Sequence, residues 1–314
     1  MTGFALLEPG LLTTVQDPGR RGYLRYGIPP SGPMDREAFL VANRLVGNPD
    51  GAAGLECTLI GPKLEVRAEC VVAVTGAEMP VTVNGREMPR WASVGLKPGD
   101  VLSLGPARSG VRAYVAVSGG IDVPPVLGSR ATYLRGQLGG LEGRQVRKGD
   151  LLPVGRPALP LDAARRRRLR SDFIPAYSGE PEVRVVLGPQ ADRFTPEGIA
   201  TFLQNPYEML PQSDRMGARL KGPRIAHTRG HDIISDGVPL GGIQVVGDGQ
   251  PIVLLVDRQS TGGYTKIATV CSVDIGRVGQ VRPGQRLCFR SVSVDEAHAV
   301  LRAARARLHA AMER

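Results

Sequence analysis

The most chemically loaded stretch of the sequence is Asp257-Arg-Gln-Ser-Thr-Gly-Gly-Tyr-Thr-Lys266. The apolar run before it, Val253-Leu-Leu-Val, reads as a buried strand that delivers Asp257, Arg258 and Gln259 at its exit. Gly262-Gly263 then reads as a turn, and Ile267-Ala-Thr-Val as the return strand. Adjacent glycines let backbone N–H groups approach a ligand closely. Tyr264 and Lys266 are two residues apart, so a continuous strand would present both on one face. A lysine beside a tyrosine, facing an aspartate, can position and polarise a carbonyl, ureido or carboxylate group. The same residues also admit a structural reading, with Asp257 and Arg258 as an ion pair and Lys266 as a solvated charge.

Three other glycine-rich segments concentrate polar side chains. Thr13 to Tyr23 carries Gln16, Asp17 and Arg20; Pro211 to Gly217 carries Ser213, Asp214 and Arg215; Asp232 to Gln244 is the third. His227 and His231 have the spacing of a zinc pair on a helix. Gly230 and the β-like surroundings argue against a helix, and no neighbouring carboxylate or thiol completes a ligand set, so these read as polar surface histidines. No Walker loop, dinucleotide fingerprint, G-x-S-x-G elbow or H-E-x-x-H motif is present.

The elements that must position these residues are mostly short strands. Cys70-Val-Val-Ala-Val-Thr, Val81-Thr-Val, Val101-Leu-Ser-Leu, Arg112-Ala-Tyr-Val-Ala-Val, Val183-Arg-Val-Val-Leu, Ile252-Val-Leu-Leu-Val and Arg286-Leu-Cys-Phe-Arg are rich in β-formers and bounded by turn residues. Asn84-Gly85 marks a tight hairpin, because both central positions of that turn need positive φ. Three helices are expected. One follows Ser31, with Met34, Ala38, Val41, Ala42 and Leu45 on one face, and ends near Gly47-Asn48-Pro49. A second runs from Thr195-Pro196 to Asn205-Pro206, and a third starts at a capping box of Ser293 and Glu296.

Of the 314 residues, 41 are glycine and 26 proline, which suits many strands and turns better than a helical bundle. The chain is long enough for two domains with cores of their own. The net charge of +10 raises the question of nucleic acid, yet five of the positive charges form one run, Arg165 to Arg168 plus Arg170. No interleaving of aromatic and basic residues accompanies it, so neither nucleic acid nor membrane is expected as a partner. Cys57, Cys70, Cys271 and Cys288 form no C-x-x-C pair and read as reduced thiols. With no signal peptide at the N-terminus and no long apolar span, the expected location is the cytoplasm.

Pro153 to Pro175 lacks strand signals and looks like a linker. The expected division is an N-terminal β-rich domain at 1–155, a linker at 156–178, a β-barrel at 179–292 and a C-terminal helix at 293–314. The halves echo one another: Ile28-Pro-Pro-Ser-Gly-Pro-Met-Asp-Arg with Leu210-Pro-Gln-Ser-Asp-Arg-Met-Gly, and Leu96-Lys-Pro-Gly-Asp with Val281-Arg-Pro-Gly-Gln. The spacings are nearly equal, 67 residues from Ser31 to Pro98 and 70 from Ser213 to Pro283, as an internal duplication would leave.

Seven motifs, in order between Leu12 and Phe289, carry a family resemblance. They are Thr14-Val-Gln-Asp-Pro-Gly-Arg, Gly27-Ile-Pro-Pro-Ser-Gly-Pro-Met-Asp, Asn43-Arg-Leu-Val-Gly-Asn, Gly54-Leu-Glu-Cys-Thr, Asp192-Arg-Phe-Thr, Ser213-Asp-Arg-Met-Gly and Asp257-Arg-Gln-Ser-Thr-Gly-Gly-Tyr. Together they resemble the allophanate hydrolase subunit 2, or biotin-dependent carboxyltransferase, family. It includes the C subunit of bacterial 5-oxoprolinase, Kip-type kinase regulators and half of the urea carboxylase carboxyltransferase domain. Ser260-Thr261 departs mildly from the family's two threonines, and Thr265 from its frequent proline.

The resemblance implies a mainly β chain of two cyclophilin-like β-barrel domains with few helices. It implies Lys266, Tyr264, Asp257 and Arg215 as catalytic residues, and Gln259, Gln244, Gly262 and Gly263 as substrate-binding ones. It further implies an allophanate hydrolase subunit 1 partner, the homologue of the 5-oxoprolinase B subunit, together with a homologue of the A subunit and a small amide or lactam substrate. The expected activity is ATP-dependent opening of 5-oxo-L-proline to glutamate in the assembled complex. The alternatives are carboxyl transfer from biotin on a separate carrier protein to urea or another amide, and non-catalytic binding of a kinase inhibitor.

Overall fold

The structure is a computed structural model that describes residues 3–177, 179–310 and 312–313. Two compact units are present. The first is built from residues up to Arg21, from Ser31 to Tyr177 and from Arg307 onward; the second takes Gly22–Pro30 and the stretch up to Ala306.

In the first unit the strands are β1 (Gly3–Glu8), β2 (Leu12–Gln16), β3 (Gly54–Thr58), β4 (Lys63–Val66), β5 (Cys70–Glu78), β6 (Val81–Val83), β7 (Arg86–Glu87), β8 (Ser93–Leu96), β9 (Val101–Leu104), β10 (Ser109–Val117) and β11 (Leu151–Pro153). They form a six-stranded sheet, β11-β1-β4-β9-β6-β7, and a five-stranded sheet, β2-β3-β10-β5-β8. Between the sheets lies one core, to which β5 gives Cys70, Val72 and Val74 and β10 gives Ala113, Val115 and Val117. The alternate residues Val71, Ala73, Tyr114 and Ala116 pack on the opposite face against helix α1 (Arg36–Leu45). Burial on both faces is why these two strands read as unbroken apolar runs. Asn84 and Gly85 both take positive φ, 52° and 77°, in the β6–β7 hairpin.

Residues 156–177, expected as a linker, are folded onto the first unit; the last expected linker residue, 178, lies outside the described residues. Helix α2 (Leu161–Ala164) and strand β12 (Arg168–Leu169) bury Ala164 and Leu169 beside Trp91 and α1. The arginines around them reach outward to acids and carbonyls: Arg165 pairs with Glu69 and Asp162, Arg170 with Asp172, and Arg167 donates to the Arg44 carbonyl. Small and apolar residues spaced within the basic run supply the anchors that composition alone hides.

Two of the sequence's polar motifs are fasteners of this unit. Gln16 donates to Thr14 and to the Thr132 carbonyl and accepts from Gly32 N–H. Asp17 accepts from the Ser129 hydroxyl and from the Arg130 and Gly19 N–H groups, and the buried Arg20 donates to the Ala131 carbonyl. The Pro-Ser-Gly-Pro-Met-Asp motif is held by Glu56, which accepts from Met34 N–H and from the Tyr114 hydroxyl at 2.8 and 2.9 Å. That hydroxyl in turn accepts from Asp35 N–H at 2.7 Å, while Asp35 caps α1 through Ala38 N–H.

The second unit contains a closed barrel. Its strands are β13 (Glu182–Leu187), β14 (Tyr207–Met209), β15 (Gly217–Lys221), β17 (Gly242–Val245), β18 (Pro251–Leu254), β20 (Lys266–Val270) and β21 (Arg286–Ser291), in the order β13-β20-β17-β18-β15-β14-β21. Strands β16 (Asp232–Gly237) and β19 (Thr261–Tyr264) form a separate two-stranded flap. Helix α3 (Pro196–Gln204), capped by Thr195 through Gly198 N–H, stacks Phe202 on Phe289 of β21 with centroids 4.5 Å apart. A short helix α4 (Ile275–Gln280) precedes β21, and α5 (Val294–Ala310) follows it. At its start Ser293 and Glu296 exchange N–H bonds at 2.7 and 3.1 Å, the expected capping box. Of the expected C-terminal helix, residues 311 and 314 lie outside the described residues. The chain is mainly β with few helices, and among the described residues no helix is long and apolar enough to cross a membrane.

The Tyr114 hydroxyl links Glu56 to the Asp35 backbone, and burial, with the two carboxylates behind it, holds its pKa well above the ordinary tyrosine value. Tyr114→Phe should therefore lower unfolding free energy by about 1–3 kcal/mol, read by urea denaturation, with the circular dichroism spectrum of the folded chain unchanged.

Candidate active site

Lys266 opens β20, and its whole side chain is removed from solvent, at 0% exposure. In an ordinary antiparallel pair, Ile267 would lie opposite Gln244. A bulge between β17 and β20 shifts the register, pairing Ile243 with Ala268 and Gln244 with Lys266. Directly opposed residues share a sheet face, so the bulge brings the ammonium and the carboxamide together. Gln190 brackets the lysine from outside the strand: its side chain accepts from Lys266 N–H at 3.1 Å, and its N–H donates to the Lys266 carbonyl.

Among the described residues neither donor group is satisfied: Gln244 Nε2 and Lys266 Nζ are both buried without a hydrogen-bond partner. The ammonium has one ionic neighbour among the described residues, Asp236 Oδ2 on β16, at 3.4 Å. Asp236 is half open to water, and its pKa is held below the usual carboxylate value first by the Gly237 N–H and then by the Lys266 charge. It therefore remains an acceptor. Gly262 lies over the carboxamide: a Cβ there would fall 2.5 Å from Gln244 Nε2 and 3.3 Å from Val238 Cγ2. Its missing side chain lets the flap lie close against the donors.

Gly262 and Gly263 do not form the expected turn. They are extended within β19, paired with β16, and β18 and β20 are not hairpin partners, because each pairs with β17 between them. Nor do Tyr264 and Lys266 share a continuous strand. The ladder breaks at buried Thr265, whose N–H donates to the His231 carbonyl at 3.0 Å, a bond that proline could not make. Tyr264 ends the flap 40% exposed, stacked on His231 at 5.9 Å between centroids. Gln259 sits half-buried in the loop before β19, and Gly263 faces the Ile233 carbonyl of β16 at 3.4 Å from its would-be Cβ.

Asp257 and Arg215 are brought together with each other. Arg215 Nε and Nη2 donate to the two carboxylate oxygens at 2.8 and 3.2 Å, and both side chains are buried. This bidentate pair clips the loop before β15 to the chain leaving β18. Asp257 thus forms a structural ion pair, but with Arg215 instead of its neighbour Arg258, and Lys266 is sealed instead of solvated.

Residue type alone does not single out Asp236 or Gln190; only the register that surrounds Lys266 does. His227, expected as a polar surface group, is held in place: Nε2 meets Thr265 Oγ1 at 3.0 Å and the ring lies on Phe194, centroids 4.6 Å apart. Among the described residues no three His, Cys, Asp or Glu side chains gather as a metal site.

Residues 26–291 match the family model described as carboxyltransferase domain, subdomain A and B. The chain belongs to that carboxyltransferase family. It is 36% identical over 292 residues to a protein from Escherichia coli named as the C subunit of 5-oxoprolinase, covering 93% of this chain and 92% of the relative. It is also 36% identical to the urea amidolyase of Saccharomyces cerevisiae, but there it covers 95% of this chain and only 17% of the relative. The crystal structure of the urea amidolyase from K. lactis superposes with a TM-score of 0.92 at 35% identity, over 98% of this chain and 20% of that one. This carboxyltransferase chain is thus matched nearly end to end by one kind of relative and spans a small part of the other. Both kinds are enzymes or parts of enzymes by name.

If Arg215–Asp257 is the clip described, Arg215→Met should destabilise by about 3–5 kcal/mol in urea unfolding, because it strands a buried carboxylate. Adding Asp257→Leu should recover much of that loss. The pH dependence has a defined sign at His227, where burial first, then His231, lowers the pKa from 6.5. The folded state resists the proton more than the unfolded chain does. Its contribution to stability is therefore complete above about pH 6.5 and lost as pH falls through the folded value, and His227→Gln should remove that slope from the pH–stability curve.

Proposed function

We propose that the chain is the C subunit of an ATP-dependent 5-oxoprolinase, working with partner subunits to open 5-oxo-L-proline to L-glutamate. The observation that carries this reading is the set of unmatched groups at the base of the flap. Two buried donors, Lys266 Nζ and Gln244 Nε2, stand on one sheet face, with one ionised acceptor, Asp236, beside the lysine. A lactam presents the complement, a carbonyl oxygen next to an N–H. Buried polar groups left without partners are costly, and a ligand that pairs them recovers that cost. The near end-to-end match to the relative named for 5-oxoprolinase supports the same choice.

In this reading the lactam oxygen lies against Lys266 and Gln244, and the ring N–H is accepted by Asp236. As that oxygen attacks the γ-phosphorus of ATP, the ring N–H proton passes towards Asp236 and negative charge gathers on the oxygen. A fixed ammonium and carboxamide, already stripped of water, stabilise it without having to reorganise. Gln190 fixes the backbone that carries the lysine, and the flap excludes solvent. Tyr264, on the exposed end of the flap, takes part in closing over the ligand, and Gln259 and Gly263 line its approach. Arg215 and Asp257 act by holding the loop at the end of β18. ATP would supply the phosphoryl group: ADP leaves, water adds to the carbon of the resulting imidate phosphate, the ring C–N bond breaks with nitrogen taking a proton, and a second water releases glutamate and phosphate from the acyl phosphate. The sequence carries no phosphate loop, and in this reading ATP is a co-substrate of the assembled complex.

A second reading has its own support. The ureido group of biotin, or urea itself, also places a carbonyl beside N–H, so the same donors and acceptor fit it, and the urea amidolyase relatives match over nearly the whole of this chain. Lys266 and Gln244 would then hold the ureido oxygen, and biotin would supply the transferable carboxyl group.

With the chain reconstituted beside its two 5-oxoprolinase partners, the A and B subunits, ATP-dependent glutamate release from 5-oxoproline should be measurable. Lys266→Met should lower it by about 10²–10³-fold with the circular dichroism spectrum unchanged. No release by the wild-type complex, combined with avidin-sensitive carboxylation of urea, would replace the first reading with the second.

A further inference from the structure

Arg258 stands out once the buried charges of the second unit are paired off. Arg184 has Asp274 in a bidentate bridge, and Arg215 has Asp257. Arg258 is buried, at 5% exposure, yet no carboxylate among the described residues pairs with it. Its Nε donates to the Val238 carbonyl at 2.9 Å and its Nη1 to the Leu255 carbonyl at 3.4 Å, and no acceptor among them meets Nη2. Two carbonyl dipoles orient a guanidinium without neutralising it, and a buried charge calls for a counter-charge. Burial accordingly lowers the Arg258 pKa from its ordinary value.

Arg258 also sits next to the candidate site. Val238, whose carbonyl it holds, directly follows the flap strand β16 and comes within two residues of Asp236. The Val238 side chain shares the space at Gly262 with Gln244 Nε2. Arg258 is thus joined through a single residue to the carboxamide of the candidate site. Lys266 and Arg258 carry two positive charges beside the neutral Gln244 donor, against the single negative charge of Asp236, the one acid that pairs with the lysine among the described residues. A neutral amide satisfies two of those donors; an amide that also carries a carboxylate satisfies the third.

We infer that Arg258 is the specificity-determining residue of this site, binding the carboxylate of an anionic amide while Lys266 and Gln244 bind its carbonyl oxygen. The inference rests on the amide-site reading above and adds the charge of the ligand and the residue that reads it. Planarity and paired N–H groups suit a guanidinium to a carboxylate better than an ammonium.

The test is calorimetric titration of the full chain with two lactams, 5-oxo-L-proline and 2-pyrrolidone, which lacks the carboxylate. Wild type should prefer 5-oxoproline by about 10-fold or more, the scale of one charge-assisted hydrogen-bond pair. Arg258→Gln should reduce 5-oxoproline affinity to that of pyrrolidone and leave pyrrolidone unchanged; Arg258→Lys should keep part of the preference. Equal wild-type affinities, or a preference that persists in Arg258→Gln, would overturn the role of Arg258 while leaving the amide site standing. Binding of neither lactam would overturn both. Should Arg258→Gln not fold, the wild-type comparison and Arg258→Lys decide alone.

Discussion

An ammonium group shut away from water, with a single carboxylate at 3.4 Å, is the constraint around which the second unit is organised. Removing a lysine charge from solvent is unfavourable by several kcal/mol unless it is paired and hydrogen-bonded. Here the pairing is partial, and the carboxamide facing it across the sheet is unpaired as well. Proteins keep such arrangements where a ligand completes them, because each buried polar group left without a partner is costly.

The backbone explains how so costly a group is held. A barrel whose strands are all paired is stiff, and one bulge in it aims Lys266 at Gln244. Over this rigid floor lies a flap of only two short strands, with Ile234 at 94% exposure and a glycine where any Cβ would press on the carboxamide. Asp236 links the two, being carried by the flap and attracted by the floor. The strand that lies over the candidate site therefore also carries the lysine's ionic partner. The first unit follows a different logic. Its polar motifs are consumed in fastening loops, with Gln16, Asp17, Glu56 and Tyr114 satisfied by backbone groups or by one another.

Much of this fold was legible because local chemistry agreed with the final structure. Thr195-Pro196 and Ser293-x-x-Glu296 are helix starts in the chain as in the sequence, and Asn84-Gly85 turns where two positive φ values are needed. Lys266 and Gly262 lie in the segment that residue type and family resemblance both pointed to, and Gln244, at the end of another polar segment, came from the resemblance alone. What could not be read was register. Period-two alternation assumes a regular strand, whereas a break at Thr265 separates Tyr264 from Lys266 and a bulge pairs Lys266 with Gln244. Adjacent glycines suggest a turn by their φ freedom, but here they serve an extended strand that needs close approach. Likewise Asp257 and Arg258, adjacent in sequence, looked like a pair. The partner of Asp257 lies 42 residues away, and only tertiary contact reveals it.

The most direct test of the account is the side-chain amide resonance of Gln244 in a ¹H–¹⁵N spectrum of the chain, assigned by Gln244→Leu, during titration with 5-oxoproline. Formation of a new hydrogen bond to the ligand oxygen should move this resonance progressively downfield, and Lys266→Met should abolish or strongly weaken the response. Saturable binding that leaves the Gln244 amide unmoved would place the ligand elsewhere and contradict the account.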